Sequence, residues 1–149
     1  MKKLFIIIFI FMAAVSFAAE GVNKEQILKT EGWNQRYMTY EPDSSLIDTL
    51  KSKVGNNLKI DVYLAFWCGD SKRNVPLFLK IVDQIDSESL EVKYFTVKRK
   101  PNKETKYFVE KLKVERVPTF IFYRDGKEIG RIIENPENNM LEDFLGIVF

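Results

Sequence analysis

The chain has 149 residues, with no histidine and one cysteine, Cys68. That inventory excludes the usual zinc and haem ligand sets and any Ser-His or Cys-His catalytic pair, so chemistry falls to Cys68, to carboxylates or to nothing. With 23 basic against 21 acidic residues, there is no charge excess of the kind that drives binding to nucleic acid.

Met1-Lys2-Lys3 followed by the apolar run Leu4 to Val15 has the layout of a signal peptide, and the small residues Ser16, Ala18 and Ala19 place cleavage after Ala18. The run is shorter than the roughly 20 apolar residues that span a bilayer, which argues against an uncleaved anchor. Residues 1–18 are therefore read as a signal peptide, 19–43 as an N-terminal lead segment and 44–149 as the folded domain. Removal of Lys2 and Lys3 makes the mature chain formally neutral, and no later apolar stretch is long enough to span a membrane. About 130 residues remain, enough for one domain with a hydrophobic core and too few for two. The expected location is the periplasm or the exterior of the cell. An odd cysteine in an exported chain is a buried inert thiol, an intermolecular bond or a reactive group, and composition leaves all three open.

In chain order, Ala19 to Glu41 is polar, with Trp33, Tyr37, Met38 and Tyr40 placed without period, and reads as an irregular lead or short helix. Asp43-Ser44-Ser45 offers an N-cap to a helix carrying Leu46, Ile47, Leu50 and Val54, stopped by Gly55-Asn56-Asn57. Leu58 to Trp67 is rich in β-formers and almost continuously apolar from Val62, which predicts a strand buried on both faces. From Ser71 the apolar residues Val75, Leu77, Phe78, Ile81, Val82 and Ile85 predict an amphipathic helix with Pro76 inside it. A strand over Leu90 to Val97, a helix over Glu104 to Leu112, and strands Thr119 to Tyr123 and Glu128 to Ile133 follow. The last two are joined at Arg124-Asp125-Gly126-Lys127 as a hairpin. Pro136 to Leu145 reads as a closing helix. Strands that alternate with helices and end in a hairpin describe an α/β fold with a mixed sheet.

The segment Trp67-Cys68-Gly69-Asp70-Ser71-Lys72, lying between a strand and a helix, resembles the active-site segment of the thioredoxin family. Pro76 stands eight residues after Cys68, where that family has a helix-kinking proline, and Val117-Pro118-Thr119 matches its cis-proline loop before a strand. The resemblance covers roughly Leu46 to Leu145. It implies a thioredoxin fold, a central mixed β-sheet flanked by helices. It also implies a substrate-facing surface made by Trp67, Gly69, Asp70, Val117 and Pro118, partners that are protein thiols or disulfides or small thiols, and no cofactor or metal. A monomer is expected.

Two departures from the family pattern limit what the resemblance implies. The second cysteine of the family's pair is Ser71 here, and the buried acid six residues before the nucleophile is matched by Val62. Asp61 should face the other side of its strand. The dithiol reductase mechanism therefore does not transfer, and Cys68 and Ser71 remain as the candidate catalytic pair. A thiolate at a helix N-terminus is favoured by the helix dipole and free backbone N–H groups. Ser71 can turn its hydroxyl toward the sulfur, Lys72 and Arg73 add positive charge, and Asp70 opposes them. Lys98, Arg99, Lys100 and Lys103 form a charge cluster that is either a solvated loop or a basic rim to the site. The leading expectation is an exported monothiol oxidoreductase working through mixed disulfides at Cys68. The alternatives are a redox-inactive peptide-binding module and an accessory domain kept for assembly.

Overall fold

A computed structural model describes residues 21–55, 57–100 and 102–149; the expected signal peptide lies outside the described residues. The sheet is built around β2 (Leu58–Leu64), whose neighbours are β3 (Leu90–Thr96), parallel, and β4 (Thr119–Arg124), antiparallel. β5 (Lys127–Ile133) and β1 (Gly21–Val22) complete the order β1-β3-β2-β4-β5, both pairing antiparallel. The sheet is mixed, as expected from the strand and helix order.

Side chains alternate across β2, so its two faces supply two cores. Ile60, Val62 and Leu64 join Phe120 and Phe122 of β4 in the larger cluster, covered by α3 (Ser44–Val54), α4 (Gly69–Ile85) and α6 (Met140–Val148). Phe78 of α4 lies at its centre, with ring centroids 4.9 Å from Phe120 and 5.8 Å from Phe144. Tyr63 and Ala65 face the other way with Ile121, Phe108 of α5 (Lys103–Leu112), Val114 and Val117. Asp61 shares the parity of Tyr63, so it lies on the face opposite Val62, as the strand period requires.

From Gly21 on, the lead segment is folded into short elements and contributes to the larger core. Asn23 caps α1 (Lys24–Leu28) through a capping box with Gln26, and Gly32, at φ 76°, opens α2 (Trp33–Thr39). Ile27 and Trp33 are buried in the larger cluster. Lys24 and the Tyr37 hydroxyl both reach Asp83 of α4, fastening the segment to that helix. Helices of five and seven residues are too short to display a repeating apolar period, which is why the sequence leaves an irregular lead or a short helix open here; the structure has two short helices.

Several boundaries differ from the sequence reading. β2 ends at Leu64, not Trp67, because the chain turns where the Cys68 N–H donates to Ala65 O at 3.0 Å. α4 begins at Gly69, two residues before Ser71. Residues Pro136 to Asn139 are not helical. Asn139 caps α6 by accepting the Leu141 and Glu142 N–H groups, while Asp143 accepts those of Glu137 and Asn138. The hairpin is as expected: Asp125 and Gly126 both have positive φ, 51° and 75°, the backbone a two-residue turn between twisted strands demands.

Candidate active site at the N-terminus of α4

Cys68 is the N-cap residue of α4, with extended backbone angles (φ −96°, ψ 125°), and its side chain makes no bond to the helix's own N–H groups. Its thiol instead donates to the carbonyl of Val117, 3.1 Å away. The Val117–Pro118 bond is cis, as expected from the Val-Pro-Thr segment. The sulfur is partly buried and packs against the smaller core. It opens into a surface cleft of about 350 Å³ that Trp67, Val97, Arg99, Val109, Arg116 and Val117 help to line.

Ser71 is wholly buried, and its hydroxyl accepts the Ala65 N–H at 3.1 Å. That bond satisfies a backbone donor where β2 stops, and it makes Ser71 a brace between strand end and helix start. Trp67 is 47% exposed, and its indole N–H donates to Val97 O at 3.0 Å. Gly69 is exposed, with open space where a side chain would begin. Asp70 accepts a 2.7 Å bond from Arg73, whose guanidinium also reaches Asn135 at 3.2 Å. Pro118 is buried, and its carbonyl accepts the Glu134 N–H at 2.7 Å.

The cations are arranged differently from the sequence expectation. Lys72 runs back over the lead segment, so close that a Cβ at Gly32 would sit 2.7 Å from its Cε and Nζ. Arg73 is occupied by Asp70 and Asn135. Positive charge reaches the cleft from Arg99, whose guanidinium lies 5.1 Å from the Trp67 ring centroid, and from Arg116, paired with Glu134 at 2.8 Å. The loop after β3 therefore does converge on the site, as the ends of parallel strands do.

Three residues at the site were not singled out in the sequence. Asn74, buried in α4, donates to Glu134 O at 2.7 Å and Asn135 Oδ1 at 2.9 Å, tying the helix to the loop that holds Pro118. Arg116 and Asn135 complete that link. Nothing in the sequence signals a contact between residues about sixty positions apart, although a polar residue on the apolar side of an amphipathic helix is a recognisable oddity.

Asp61 does not stand in for the acid missing at Val62; the carboxylates that line the Cys68 cleft are Glu115 and Glu134. Asp61 is buried on the opposite face, and burial raises its pKa against the pull of Lys59 and Lys93. The Lys59 ammonium is 3.3 Å from Asp61 Oδ1, but off the direction a hydrogen bond needs, so that oxygen has a charge partner and no hydrogen bond.

A family model described as Thioredoxin matches residues 16–142. The chain belongs to the thioredoxin family. Curated relatives include a thioredoxin of Staphylococcus epidermidis, 25% identical over 61% of this chain and 83% of that protein. Thioredoxin-2 of Saccharomyces cerevisiae is 29% identical over 53% of the chain and 69% of that protein. Among solved structures, a Pseudomonas aeruginosa protein of unknown function superposes with a TM-score of 0.59 at 15% identity, covering 87% of this chain and 86% of that one. That likeness supports the fold alone. Family membership makes protein thiols and disulfides the general class of partner. Among the described residues no helix is long and apolar enough to cross a membrane.

Proposed function

We propose that this chain is an exported monothiol thiol–disulfide oxidoreductase, periplasmic or secreted once residues 1–18 are removed, acting through mixed disulfides at Cys68. The observation that carries the reading is the position of the sulfur. It opens into a surface cleft beside Val117 and the cis-proline, in a chain with no second cysteine to close an internal disulfide. Attack by the Cys68 thiolate on a disulfide forms one S–S bond and breaks another; the displaced sulfur leaves with the electron pair and takes up a proton. In a dithiol enzyme the second thiol then resolves the adduct at high effective concentration. Ser71 cannot, because its alcohol stays protonated and its oxygen already accepts the Ala65 N–H. An external thiol must finish the cycle.

Insulin reduction with dithiothreitol tests this. The wild type should be slow and Ser71→Cys faster, even though a thiol is a poorer acceptor for the Ala65 N–H, at a cost of about 1 kcal/mol. Equal rates would overturn the monothiol mechanism. The apolar Val62, where the family has an acid, favours a second reading: a module that holds peptides in the cleft without turnover. That reading requires peptide binding that survives Cys68→Ser unchanged.

A further inference from the structure

We propose that the cleft selects a partner whose cysteine lies in an acidic peptide segment, and that Arg99 sets this preference. The inference rests on the oxidoreductase reading of Cys68 and names the substrate class for it. Arg99 follows β3 in a stretch of sequence that carries Lys98, Arg99, Lys100, Lys103 and Lys106 and a single acid, Glu104. Unlike a free surface cation, its guanidinium is held over the Trp67 ring at 5.1 Å, and Trp67 is itself fixed by its bond to Val97 O. A partly exposed stack of this kind contributes about 0.5–1 kcal/mol, enough to bias the side chain toward the cleft.

The two sides of the cleft then differ in charge. Arg116 is neutralised by Glu134 at 2.8 Å and Glu115 adds a second carboxylate to the lining, whereas among the described residues Arg99, beside Trp67, pairs with no carboxylate. The Trp67 side therefore presents an unpaired cation in the cleft that Cys68, Val109 and Val114 also line. A chain segment with apolar and acidic side chains around its cysteine complements that surface. Complementary charge acts chiefly on encounter rate and on rejection of wrong partners. In the selected step, Cys68 sulfur bonds to the peptide cysteine sulfur, the peptide's old S–S bond breaks, and the leaving thiolate takes up a proton.

The test uses the mature chain and three probes bearing the same neutral thiopyridyl leaving group: a cysteine peptide flanked by aspartates, one flanked by lysines, and a small neutral disulfide. Release of thiopyridone gives the rates. The acidic peptide should react about tenfold faster than the basic one at low salt, and the ratio should approach one at about 0.5 M salt, where the Debye length is a few ångströms. Arg99→Gln should cut the ratio severalfold and Arg99→Glu should invert it. Lys51→Gln, on α3 under the opposite face of the sheet, should leave it unchanged. If the neutral disulfide gives no adduct at Cys68, the oxidoreductase reading itself falls. If it reacts normally but the peptide ratio is near one, or persists in Arg99→Glu, the selectivity inference alone is overturned.

Discussion

The two faces of the sheet are built to different standards. One is a broad apolar layer in which Phe78, Phe120, Phe122 and Phe144 meet under three helices, with Val62 fully buried among them. The other is a small cluster under the single helix α5. It includes Val114 and Val117 from the cleft wall, packs against Cys68 itself, and has the buried Asp61 on the same face. Stability is therefore concentrated on one face, while the site is carried by the other. A change in the larger cluster should cost folding energy without reshaping the cleft, and a change in the smaller one should do both.

The largest expected effect is Phe78→Ala, which leaves a cavity at the centre of the aromatic cluster and should lower stability by about 4 kcal/mol. Urea unfolding measures it; in the fraction that remains folded, adduct formation at Cys68 should proceed at the wild-type rate. Phe108→Ala on the α5 face should cost about 3 kcal/mol, since its ring contacts Tyr63 at a centroid distance of 4.9 Å. Here the adduct rate should change as well. Equal behaviour of the two variants in the reactivity assay would erase the distinction between the faces.

Asn74→Ala probes the tie between them, because Asn74 holds the loop whose Glu134 N–H is bonded to Pro118 O. Losing it should cost about 1.5 kcal/mol through two lost hydrogen bonds, whose acceptors on half-buried Glu134 and exposed Asn135 can turn to water. It should also slow peptide substrates more than small disulfides, since only peptides use the Val117–Pro118 wall. A uniform slowing would assign Asn74 to stability alone.

The smallest effect concerns Asp61. Burial raises its folded pKa above the ordinary 3.8, with Lys59 and Lys93 opposing and Glu91 adding to the shift. The folded state then binds the proton more tightly than the unfolded state. Asp61's contribution is therefore most favourable below 3.8 and is lost as pH rises through the raised value. Asp61→Asn should stabilise the protein at neutral pH, with the gain vanishing in acid. A constant difference across the pH range would contradict the burial argument.

What was legible in the sequence follows the same division. The spacing of Phe78, Ile81 and Ile85 and the Asp-Gly turn encode a local period and turn chemistry that the structure follows closely, and the apolar run of β2 marks the central strand though not its end. Cys68, Pro76 and the Val117–Pro118 pair could be placed because their order along the chain matches a family. The finer geometry of the site depends on partners distant in sequence. Ser71 bonds Ala65 where β2 ends earlier than its apolar run suggests, Lys72 is drawn to Gly32, and Arg99 finds Trp67. Trp33 gave no periodic signal because its helix spans only two turns, yet it is buried at 1% exposure, 5.5 Å from the Phe66 ring.

The most direct test of the account is intact-mass analysis of the folded protein after brief exposure to a small neutral disulfide. The prediction is one adduct per chain at Cys68, absent in Cys68→Ser, that persists when excess reagent is removed and is released by added thiol. Ser71→Cys should shorten its lifetime. Reaction of Cys68 only after denaturation would show that the fold shields the sulfur, contradicting the claim that this site is built for thiol–disulfide exchange.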